Sequence, residues 1–263
     1  MRLPIMSLLI PAALFGHDLY LKPAKSVTAP GETVRVEYHS GDAFPVSQNP
    51  VVLSRLKDAR RISATGDAAF TGIHDESKTL TVAGFTAPAK GHFWLLSRTE
   101  PNFIELDARK FEEYLEHEGL KYVSEWRRKN SESDRAGKEI YSKYVKSLLV
   151  TGAGDGWFNH AAGLAIEFVP LDDPYAAKPG AAIRVQLLFR GKPAAGHEVE
   201  LQTVAAGKAD RKILGNTDAQ GVVRVPLAPG GFHKLHAIVM ERRADRTKAD
   251  WESWWATLTF GTR

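Results

Sequence analysis

The chain has 263 residues, 43% of them hydrophobic, which is enough for one large domain or two of ordinary size with a true core. It contains no cysteine, so disulfides, thiolate metal sites and thiol nucleophiles are excluded. The net charge is only +4, and Arg127, Arg128, Lys129 and Arg135 stand among Glu125, Glu132 and Asp134, a solvated helix surface rather than a nucleic-acid-binding stripe.

Residues 1–16 carry one early charge, Arg2, then the apolar run Leu3 to Phe15 with small residues Ala12, Ala13 and Gly16. This is the pattern of a secretory signal, too short to cross a bilayer, and it implies a periplasmic or secreted protein with no transmembrane segment in the mature chain. Cleavage after Gly16 makes His17 the new N-terminus. Cleavage after Ala13 competes with it, because a cut after Gly16 puts Leu14 where alanine is more usual. A terminal histidine offers its α-amine and ring Nδ1 as one chelate ring for a transition metal, whereas an uncut His17 is merely the first polar residue after the leader.

From His17 to about Ser97 the pattern is strand-like. Thr33 to Tyr38 alternates after the turn Pro30-Gly31, a strand is expected over Val51 to Leu56 before an exposed hairpin or loop, and Leu80 to Phe85 and Phe93 to Leu96 follow. Between Asp107 and Leu149 the period changes. Phe111, Tyr114 and Leu115, then Tyr122, Val123 and Trp126, then Ile140, Tyr144, Val145 and Leu148 fall at helical intervals, which predicts a three-helix insertion over about 107–149 punctuated by Gly119 and by the polar run 129–137. Gly152-Ala153-Gly154-Asp155-Gly156 reads as a flexible turn. Beyond it the chain returns to strands over Leu164 to Pro170, Ile183 to Phe189, Glu198 to Val204, Gly221 to Leu227, Leu235 to Met240 and Trp255 to Phe260, a spacing that predicts a sandwich. The predicted division is 1–16 signal peptide, 17–172 β-rich domain with the helical insertion, and 173–263 an immunoglobulin-like β-sandwich, with the boundary near Pro170 to Pro179.

Several strings carry a resemblance that runs along the chain. They are His17-Asp18-Leu19-Tyr20-Leu21-Lys22-Pro23, Pro30-Gly31-Glu32-Thr33-Val34, Phe111-Glu112-Glu113-Tyr114-Leu115 with Glu118-Gly119-Leu120, and Tyr141-Ser142-Lys143-Tyr144-Val145-Lys146-Ser147-Leu148. Glu167-Phe168-Val169-Pro170-Leu171 with Asp173-Pro174, Gly191-Lys192-Pro193, Thr217-Asp218-Ala219-Gln220-Gly221 and Ala256-Thr257-Leu258-Thr259-Phe260 complete the series. In order and spacing the chain resembles the domain of unknown function 4198 family, periplasmic proteins that include accessory components of nickel and cobalt uptake. The resemblance implies an exported, mainly β protein with an immunoglobulin-like C-terminal half, a link to divalent metal import and no established catalytic residues. Members commonly begin with a His-Asp or His-Glu pair, which His17-Asp18 matches. The stretch Gly231-Phe232-His233-Lys234-Leu235-His236 departs from the family by being rich in histidine where an aromatic residue is usual.

Candidate metal ligands rank as His17, then His236, then His92. His233 and His236 lie three apart, on opposite faces of a strand, so His236 is the one expected to reach the first strand and complete a site with His17, against the plainer reading of a hydrogen-bonded sheet histidine. His92 precedes an apolar strand, and His39 and Asp42 follow one, at sheet ends where ligands are often placed. His160 sits on a linker, His74, His117 and His197 read as surface residues, and Glu113, Glu116 and Glu118 read as carboxylates solvating a helix. Gly-x-Ser-x-Gly, phosphate-loop, Gly-x-Gly-x-x-Gly and His-Glu-x-x-His motifs are all missing, which argues against an enzyme. The expectation is therefore an exported, non-enzymatic protein binding nickel, cobalt or copper, accessory to metal uptake, with a membrane metal transporter as its expected partner. The alternatives are a metal-free structural or interaction module of the envelope that docks to such a transporter, and a copper-dependent oxidase.

Overall fold

The computed structural model describes residues 17–178 and 180–263; residues 1–16, where a leader and its cleavage point are expected, and Pro179 lie outside them. In chain order the elements are β1 (Leu19–Pro23), β2 (Val27–Thr28), β3 (Thr33–Ser40), β4 (Leu56–Ser63), β5 (Ala68–Ala69), β6 (Thr71–Asp75), β7 (Thr81–Thr86), β8 (Gly91–Thr99) and β9 (Asn102–Leu106). Helices α1 (Ala108–His117) and α2 (Lys121–Lys129) follow, then β10 (Gly137–Thr151), β11 (Ile166–Pro170), β12 (Ala182–Phe189) and β13 (Lys192–Pro193). The chain ends with β14 (Glu198–Ala205), β15 (Lys208–Asn216), β16 (Val222–Pro226), β17 (Phe232–Arg242) and β18 (Trp251–Gly261).

A ten-stranded sheet in the order β15-β14-β17-β18-β10-β8-β4-β5, with β2 and β9 also on β10, forms the middle of the molecule. One of its faces is covered by the sheet of β11, β12, β13 and β16, through Trp94, Leu148, Leu235 and Phe260 against Phe168, Val185 and Val225. The opposite face is covered twice. The sheet β1-β3-β7-β6 packs on Phe93, Leu95, Val145 and Leu149, and beside it α1 and α2 pack Phe111, Tyr114, Leu115 and Val123 on Ile238, Met240 and Trp255. The fold is mainly β, as expected.

The helical insertion is shorter than the expected 107–149. Only α1 and α2 form, over 108–129, and Ile140, Tyr144, Val145 and Leu148 belong to the long strand β10. Every residue from Val145 to Thr151 is buried because both faces of the central sheet are covered, so the alternation that marks a strand is lost and the apolar spacing mimics a helix. Leu53–Arg55 is a 3₁₀ turn rather than strand, and the strand starts at Leu56. Across the expected boundary at 172–173, β10 runs parallel to β18 for ten residue pairs, from Glu139 with Trp251 to Leu148 with Phe260, so both halves share one sheet.

Candidate functional site

The polar residues gather where the β1 sheet and the helix pair meet over the central sheet. Strand β1 is fastened there by its backbone: Thr257 donates its hydroxyl to the Leu19 carbonyl at 2.8 Å and Thr259 to the Leu21 carbonyl at 2.7 Å. That leaves Asp18, one residue before β1, above β17. Lys234 and His236, two apart on β17, point to the same face. Lys234 donates to Asp18 Oδ2, and His236 Nδ1 lies 3.0 Å from Asp18 Oδ1, an ion-pair contact outside an aligned hydrogen bond. On its other side His236 Nε2 lies 3.3 Å from Glu118 Oε2, and Glu118 Oε1 lies 3.0 Å from His117 Nδ1.

Glu118 is not a helix-solvating carboxylate. Helix α1 ends at His117, Glu118 caps it, and Gly119 at φ +68° turns the chain, so the Glu118 side chain leaves the helical face and is only 8% exposed.

Ionised carboxylates only accept, so two of them facing an imidazole favour its protonated form. Burial alone pulls the His236 pKa down, but Asp18 and Glu118 outweigh it and the net shift is upward. Burial would raise Asp18, yet His236 and Lys234 hold it down at about 2, and Glu118 is likewise lowered against burial by His117 and His236. His236 thus has a carboxylate on each side and a lysine ammonium beside it. That does not fit the expected role of second ligand.

His17 is placed differently. Its Nδ1 lies 3.0 Å from Asp42 Oδ2, on side chains 29% and 44% exposed, and its carbonyl accepts from Lys143 Nζ. Burial tends to raise Asp42, but the contact with His17 leaves it lowered. His17 and Asp42 thus form an accessible pair above the buried cluster. Among the described residues no group of three or more His, Asp and Glu is gathered so as to hold a metal ion.

His92 lies far from both. It pairs with Val150 of β10, whereas Lys143, which touches His17, is seven residues back along that strand, about 23 Å at the usual rise. Its Nδ1 lies 3.2 Å from Asp155 Oδ1 and its Nε2 3.2 Å from Asp173 Oδ2, the latter again an ion pair. Burial lowers its pKa, the two aspartates raise it, and the net shift is upward. The glycine-rich turn is thus a lid on His92: Asp155 accepts from the His92 backbone N–H at 3.0 Å, and a Cβ at Gly154 would run into the His92 ring.

The remaining histidines are accounted for singly, His74 through its Nδ1 at 2.7 Å from the Gly72 carbonyl oxygen. His39 Nε2 contacts Glu37 at 2.8 Å, His160 stacks on Trp157, and His197 packs edge-on against Tyr122. His233 faces away from His236, accepts from the Ala228 N–H at 3.0 Å, and is pushed down to about 4 by burial. Sequence reasoning missed Lys234, Lys143 and the buried pair of Lys146 Nζ with Glu167 Oε2 at 2.5 Å, in which Lys146 also stands 3.9 Å over the Trp94 ring. Their one signal is a lone charge inside an apolar strand, such as Lys146 between Val145 and Leu148.

The model of the domain of unknown function family DUF4198 matches residues 14–241, and the chain belongs to that family. No curated protein matches it. Among solved structures, a DUF4785 family protein from Legionella pneumophila is similar at 7% identity and a TM-score of 0.27, over 82% of this chain and 50% of that one. The Escherichia coli adhesin FdeC is similar at 14% identity and a TM-score of 0.25, over 94% of this chain and 64% of that one. The chain thus spans half to two thirds of these two structures. The D0-D1 domain of intimin is similar at 15% identity and a TM-score of 0.22, over 94% of this chain and all of that one.

Proposed function

We propose that the chain is an exported protein that captures a divalent transition metal ion, nickel, cobalt or copper, at the edge formed by His17 and Asp42. The observation that carries this reading is the 3.0 Å separation of His17 Nδ1 and Asp42 Oδ2 on two accessible side chains. Two donors each about 2.1 Å from an ion and at right angles to each other lie about 3 Å apart, so one ion can replace the hydrogen bond between them. If the leader is cut after Gly16, the α-amine of His17 becomes a further donor on the same residue, and water completes the shell. His236 and His92 take no part in this reading, because each ring is buried and already engaged by two carboxylates.

Titration calorimetry with nickel, cobalt and copper on protein beginning at His17 tests this. Binding is expected, weaker by tenfold or more in Asp42→Asn, and lost in His17→Ala. Absence of binding for all three ions refutes metal capture. Handing the ion to a membrane transporter is the downstream role consistent with this reading, and it is tested by co-purification with and without chelator.

A further inference from the structure

We propose that the cleft beside His17 binds a small organic carboxylate. The cleft has a volume of about 320 Å³, within the size range of small-molecule sites. Arg55 and Lys143 both line it, and no Asp or Glu does. Neither cation is ion-paired among the described residues: Lys143 Nζ donates to the His17 carbonyl, and Arg55 Nη2 donates to the Glu100 carbonyl at 2.8 Å while its Nε is buried without a hydrogen-bond partner. The two flank one aromatic ring, the Arg55 guanidinium 5.3 Å and the Lys143 ammonium 5.5 Å from the centre of Tyr141.

Two cations at one half-buried wall repel each other, and water screens them only in part. An anion at the mouth relieves this repulsion. The rest of the lining selects the kind of anion. Leu19, Val51 and Ile104 give the cleft an apolar wall, which suits a ligand with a hydrocarbon body and leaves inorganic phosphate, small and strongly hydrated, with nothing to pack against. A carboxylate accepts from guanidinium and ammonium together, and its body then lies along Tyr141 and Val51.

This assignment does not rest on metal capture, so the test uses the whole chain dialysed against chelator. Benzoate, its neutral isostere benzamide and inorganic phosphate are titrated by calorimetry and ligand-observed NMR. Benzoate is expected to bind with a Kd of about 1 mM or tighter. Benzamide is expected to bind at least tenfold more weakly, and Lys143→Met to lower benzoate affinity about tenfold, the loss that follows removal of a charge-assisted hydrogen bond. Arg55→Gln is expected to give the same loss and serves if Lys143→Met does not fold. Equal binding of benzamide and benzoate, preference for phosphate, unchanged affinity in these variants, or no benzoate binding at several millimolar overturns the proposal.

Discussion

The two ends of the central sheet carry the same device in different surroundings. At one end His236 lies between Asp18 and Glu118, and at the other His92 lies between Asp155 and Asp173. Around His236 both carboxylates are nearly as buried as the ring, at 9% and 8% exposure, and each has a second cation, Lys234 or His117. Around His92 the aspartates come from loops, are 32% and 19% exposed, and are helped by backbone N–H groups of His92, Trp157 and Tyr175. A buried histidine between carboxylates is therefore a structural tie in this protein. Depth decides how much each tie matters, since a buried carboxylate that loses its partner has no water to turn to.

The largest effect is expected from breaking the deeper tie. His236→Ala leaves Asp18 and Glu118 facing a void, and should destabilise the fold by about 3–4 kcal/mol, which urea unfolding measures. The next effect separates the histidines from a third buried group that titrates nearby. Glu139, held by Ser253 and Tyr114, is raised by burial from the ordinary 4.5 to about 7. Its folded state holds the proton more tightly, so its contribution is fully present below pH 4.5 and is lost as pH rises through about 7, up to about 3 kcal/mol in all. Glu139→Gln should flatten the stability profile across that window. The two histidines are also raised, so their contribution is present below pH 6.5 and fades above it; in Glu139→Gln protein the decline above pH 6.5 should remain, and His236→Gln should flatten most of it. The smallest loss belongs to His92→Ala, about 1–2 kcal/mol, because Asp155 and Asp173 can rehydrate and keep their backbone donors. Equal losses for the two alanine variants would contradict the role given to depth.

The strands were legible in sequence where one face stays polar, as in Thr33 to Tyr38, and where an apolar run is closed by turn residues, as in Ile183 to Phe189. Strand β10 was not, because two covered faces erase its alternation. His17 and Asp42 could be picked out by their places after the leader and at a sheet end. The buried ties could not: Glu118 looks like any helix glutamate until the end of α1 is fixed, and Asp155 looks like a loop residue until Gly154 lets the turn close on His92. In both cases the sequence marks the turn, at Gly119 and at the glycines of 152–156, but not the histidine against which the turn sets its carboxylate.

The claim on which the rest depends is that His17 is open to a metal ion while His236 and His92 are buried and engaged by carboxylates. Long-range ¹H–¹⁵N NMR of the imidazole nitrogens during a zinc titration, on protein beginning at His17, reads all three at once. The expected result is a change at His17 Nδ1 alone, with the ring nitrogens of His236 and His92 unchanged throughout. A change at His236 on addition of zinc would contradict the account.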